Sequence, residues 1–206
     1  MNEAEDEGGS DVANNTTLRF TVRNVALLNL TYFGIEFAVA LAIGSVALFA
    51  DSVDFLEDGA INLLILAGLG FTAAGRAKLG MVLAVIILVP GLATLWTAWQ
   101  NFSNGLVPEA LPITITGAGA FVVNFVCAWL LAPFRRAGGS LTRAAFLSAR
   151  NDVAANVAIV IAGLLTATMH SHWPDLIVGL GIALLNAGAA KEVYEAAREE
   201  HATARS

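Results

Sequence analysis

Residues 50–64, "ADSVDFLEDGAINLL", crowd Asp51, Asp54, Glu57 and Asp58 together in an otherwise strongly apolar chain. The full 206 residues are 57% hydrophobic and only 14% charged, with a mean hydropathy of +0.70. A soluble domain of that length needs far more polar surface, so the composition predicts a membrane protein. At about 100° per residue, a helix through this stretch aligns Asp51, Asp54, Asp58 and Asn62 on one stripe, while Glu57 points away. Each Asp at the centre of a membrane helix costs roughly 2.5–3.5 kcal/mol. Several on one stripe must therefore face a protein interior or a water-filled cavity, where intramembrane acids serve ions or protons.

Outward from this stretch, apolar runs of roughly 20 residues, enough to cross a hydrocarbon core as helix, divide the chain into six spans. They run Phe20–Leu41, Val46–Leu69, Leu79–Trp99, Leu111–Leu131, Thr142–Thr166 and Leu176–Ala190. Turn residues or charges separate them. Arg19 and Arg23 precede the first span, Arg76 and Lys78 lie between the second and third, and Arg135, Arg136 and Arg143 surround the fourth-to-fifth connection. Lys191, Arg198 and Arg205 follow the last, and the other loops have no Lys or Arg. The positive-inside rule then places both termini in the cytoplasm, as an even number of spans requires.

The expected organisation is an acidic, disordered tail over 1–18, a six-helix membrane domain over 19–192 and a short cytoplasmic tail over 193–206. The acidic start is unlike a signal peptide. Together with the formal charge of -6 it argues against nucleic acid as a partner. The single cysteine, Cys127, offers neither a disulfide framework nor a thiolate cluster; its expected role is packing.

A second polar patch lies in the fifth span. Ser148, Asn151, Asp152 and, at the margin, Asn156 share one side, with Arg150 opposite. Hydrogen bonding between helices explains Ser148, Asn151 and Asn156 as well as ligation does. Asp152 needs a cation or a proton. "DGAINLLILAGL" from Asp58 and "DVAANVAIVIAGLL" from Asp152 both place Asn four residues after Asp. That similarity suggests two related three-helix halves delivering acids to one midplane site. Oxygen-rich clusters suit divalent cations, and protons compete for the same oxygens. Without Cys or His the donor set leans toward manganese, iron(II), cobalt or magnesium rather than a tight zinc site.

"GSVALFADSVDFLEDGAINLL" resembles the second-helix signature of the cation diffusion facilitator family, with Asp54 and Asp58 in the place of its HxxxD or DxxxD pair. "AAFLSARNDVAANVAIVIAGLL" is similar to the fifth-helix signature, whose pair falls on Ser148 and Asp152. The resemblance covers nearly all of residues 20–195. It implies an all-α, six-helix membrane bundle of the cation-efflux type, working as a homodimeric secondary transporter in the cell membrane. Divalent metal leaves in exchange for protons; the metal is cargo, and no resident cofactor or enzymatic activity is expected. The implied metal residues are Asp54, Asp58, Ser148 and Asp152. Ser148 stands where the family supplies His or Asp, so Asn151 or Asp51 compensates, or the metal is held weakly. The family's usual cytoplasmic carboxy-terminal domain and its His-rich loop after the fourth span are not expected in these residues. A non-transporting membrane scaffold of the same fold is the alternative, and an aspartyl-type hydrolase dyad is a distant one.

Three further features have two readings each. Asn29 and Glu36, seven apart on the first span, line an ion path, or Glu36 pairs with Arg150. His170, His172 and Asp175 in "HSHWPD" catch metal, or belong to a loop with an interfacial Trp ahead of a Pro-started helix. Pro90 is expected to kink the third span.

Overall fold

The computed structural model describes residues 3–68, 90–135 and 139–185, with side chains for 16–67, 90–135 and 142–185. Six helices make up almost all of these residues. They are α1 (Glu3–Ile43), α2 (Val46–Gly68), α3 (90–104), α4 (Ala110–Leu131), α5 (Gly139–Met169) and α6 (Trp173–Leu185). A 3₁₀ turn, Ala132–Phe134, follows α4. The segments Thr16–Ile43, Ala110–Phe134 and Thr142–Met169 are long and apolar enough to cross a membrane. The sequence reading of a multi-pass helical membrane bundle therefore holds. Residues 79–89 of the third span and 186–190 of the sixth lie outside the described residues. The backbone of α1 is helical from Glu3, within the leader for which composition favours disorder. Its acids lie at the helix end where the macrodipole favours negative charge.

Helices α1 and α2 form an antiparallel hairpin through Gly44, whose φ of 69° lies in the left-handed region that glycine occupies without strain. The Gly44 N–H closes α1 by donating to Ala40 O at 2.8 Å. The start of α2 is then fully capped. Ser45 Oγ accepts from Leu48 N–H at 3.2 Å, while Asp175 of α6 accepts from Val46 N–H at 2.7 Å and Ala47 N–H at 3.2 Å. The first three amides of α2, which have no partner within the helix, are thus all satisfied. Ser45 Oγ also donates to Asp175 Oδ1 at 2.6 Å, and Asn101 Nδ2 of α3 donates to Gly44 O at 2.9 Å. This knot joins α2, α3 and α6 at one end of the bundle. Gly179 permits it, since a Cβ there would sit 2.5 Å from Val46 C.

Two apolar clusters divide the bundle along its length. At the Ser45 end, Ala40, Leu48, Phe49, Ile113, Ile159 and Ile182 bring together α1, α2, α4, α5 and α6. At the Arg135 end, Val22, Val25, Ile65, Cys127, Leu131 and Ala149 join α1, α2, α4 and α5. Each of those four helices passes from one cluster to the other. The residues between form a buried polar layer of Asn29, Glu36, Asp51, Asp54, Asp58, Asn124 and Asn156. The site lies in that layer.

Candidate metal site

The stripe expected on α2 is buried. Asp51 is 0% exposed, Asp54 8%, Asp58 3% and Asn62 1%, while Glu57 is only half-buried. Its partner stripe is on α5, packed beside it. Ser148 and Asp152 both lie next to Asp58 across the α2–α5 contact. One helix supplies a carboxyl group, and the next turn of its neighbour supplies a hydroxyl and a second carboxyl, since positions 148 and 152 are four apart on one face. Asp54, one turn along α2, is near enough to Asp152, Asp51 and Asp58 to feel their charge. Asn62 Nδ2 donates back to Asp58 O at 2.8 Å, so it braces α2.

Asp51 and Asn151 take different places. Asp51 Oδ2 accepts from Asn156 Nδ2 at 2.6 Å, and Asn156 Oδ1 accepts from Asn124 Nδ2 at 3.0 Å. Asn156 thus bridges α2 and α4 from α5, the interhelical role open to small polar residues in a bundle. Asn151 is exposed and accepts from Arg150 at 3.4 Å, apart from the Asp58–Ser148–Asp152 group. Asn124 was not anticipated. It is a lone Asn in an apolar span, and only the packing of α4 against α5 gives it a partner.

The side readings also resolve. Arg150 is exposed, and neither carboxyl oxygen of the buried Glu36 has a hydrogen-bond partner, so the two do not pair. Asp175 is fully buried and spends both oxygens on the start of α2, while His172 stacks on Trp173 with ring centroids 5.2 Å apart. "HSHWPD" is therefore a capping and anchoring loop. Cys127 is buried in the apolar cluster, with Sγ 3.8 Å from Asn29 Oδ1.

Among the described residues, no three His, Cys, Asp or Glu side chains already converge as a metal cage. Asp58 and Asp152 instead lie next to each other, an arrangement that suits a proton or a cation between the two carboxyl groups.

No curated protein matches the chain. The model of the cation efflux transmembrane domain matches residues 22–199, which include every residue of the polar layer and both halves of the α2–α5 site. With the helical bundle and the acids buried inside it, that match establishes that the chain belongs to the cation efflux family.

Proposed function

We propose that the protein is a secondary transporter that exports divalent metal cations in exchange for protons, with Asp54, Asp58, Ser148 and Asp152 as the ligands. The observation that carries this reading is the meeting of the buried Asp58 with the half-buried Ser148 and Asp152 across α2 and α5, between two apolar clusters. Buried acids in a membrane bundle need a proton or a cation, and a group that accepts either can exchange one for the other. Asp54 completes the site by turning toward Asp152 when metal replaces a proton between Asp58 and Asp152. Asn151 and Asp51 are left outside the ligand set. The all-oxygen donors favour manganese, iron(II) or cobalt over zinc or cadmium. Both termini lie in the cytoplasm of a cell-membrane homodimer, in contact with lipid.

Proteoliposomes with an imposed proton gradient test this with each of the five metals. Saturable flux that depends on the gradient and is lost in Asp58→Asn and in Asp152→Asn is the expected result. Flux that persists in both variants removes Asp58 and Asp152 from the transport site, and no flux of any metal leaves a membrane scaffold in place of a transporter.

A further inference from the structure

Glu36 is fully buried, and both of its carboxyl oxygens lack a hydrogen-bond partner. It lies within hydrogen-bonding reach of Asp51, which is also fully buried and whose Oδ1 is likewise unpartnered. The surrounding polar groups do not relieve the pair. Asn156 Nδ2 is committed to the other oxygen of Asp51, and Asn124 Nδ2 to Asn156. Tyr32 Oη donates at 2.6 Å to Thr116 O. Three buried carboxyl oxygens of this neighbouring pair therefore receive no N–H or O–H from the rest of the protein, where an uncompensated charge is very costly.

We infer that Glu36 and Asp51 form a second cation position, which takes a hard divalent ion of the manganese or magnesium class. This rests on the transport reading above and adds a step to it. Two carboxylates carry the charge that neutralises such an ion, and hard divalent ions are commonly held by one or two carboxylates with water filling the remaining positions. Asp51 and Asp58 are seven residues apart on α2, so the two positions are about 10 Å apart along the bundle axis. Asp54 lies between them on the same stripe. A cation leaving Asp58 and Asp152 toward the Ser45 end would meet Asp54 and then this pair, so the polar layer contains two stations on one path.

Electron paramagnetic resonance of Mn²⁺ bound to the purified full chain tests the inference. The parent is expected to bind two ions per protomer, with lines broadened by their mutual dipolar coupling. Glu36→Gln and Asp51→Asn are each expected to bind one, with sharp lines, and Asp58→Asn should also retain one. Retention of the Asp58-dependent ion shows that the Glu36→Gln protein is folded. A single ion in the parent, lost in Asp58→Asn and unchanged in Glu36→Gln, overturns the second position and leaves the transport reading intact. Loss of both ions in Glu36→Gln and in Asp51→Asn overturns it as well, since the positions would not be separable. A parent that binds no ion removes both readings.

Discussion

Ser148 places a hydroxyl beside Asp58, where a third charged ligand would strengthen metal binding. Ser148→Asp adds a carboxylate to the same face of α5. Metal binding should tighten by about tenfold, equivalent to about 1.4 kcal/mol, with slower turnover because release is harder. Equilibrium binding and flux measured on one preparation would show both; an unchanged affinity would mean that position 148 does not touch the ion. Asn156→Ala strips Asp51 Oδ2 of its donor and leaves Asn124 unpaired. Leaving buried polar groups unsatisfied costs about 1–3 kcal/mol each, so the thermal midpoint in detergent should fall even if the metal ligands are intact. The stripe of Asp51, Asp54, Asp58 and Asn62 on α2 and that of Ser148, Asn151 and Asp152 on α5 were legible from helical periodicity, while the choice of Asp54, Asp58, Ser148 and Asp152 among them came from the family resemblance. Asn124 was not, because an Asn in an apolar span declares its partner only once two helices are packed.

The α1–α2 hairpin turns at Gly44, with Glu36 eight residues before it and Asp51 seven after. In an antiparallel hairpin with so short a turn, residues nearly equidistant from the turn come level. That spacing was present in the sequence, but it becomes evidence only when Gly44 is known to be the turn and the faces of both helices are fixed. The Asp175 cap was harder to see. Its partners lie about 130 residues away, and the neighbouring histidines suggested metal. Asp175→Ala frees two buried amides and a hydroxyl, and loss of such a cap costs about 2 kcal/mol. Its thermal midpoint should fall without change in metal affinity; weakened metal binding would instead return "HSHWPD" to the ion path. Gly179→Leu should be more damaging, because its added side chain meets the backbone of Val46 rather than a movable side-chain end.

For the molecule as a whole, alternation of apolar cluster, polar layer and apolar cluster sets how the bundle responds to protons. The proposed metal oxygens are all carboxyl or hydroxyl, so protons and metal compete at the same atoms. Apparent metal affinity is therefore expected to rise with pH as carboxyl groups lose their protons, and to fall in acid. Binding isotherms across a pH series check this, and an affinity independent of pH would remove the basis for exchange. The membrane class and the six-helix organisation were readable from composition and run length, since a bilayer imposes both. The arrangement of acids into an Asp58 group and a Glu36–Asp51 pair was not, because it depends on where α1 and α5 cross α2.

The central claim is that the acids buried between α2 and α5 hold a cation in transit. It is tested most directly by following metal and protons together in proteoliposomes, with an internal pH indicator, for the parent and Asp152→Asn. The account predicts that Mn²⁺ movement in the parent is matched by proton movement in the opposite direction, and that both stop in the variant. Metal movement that continues in Asp152→Asn, or that proceeds with no proton movement, would contradict it.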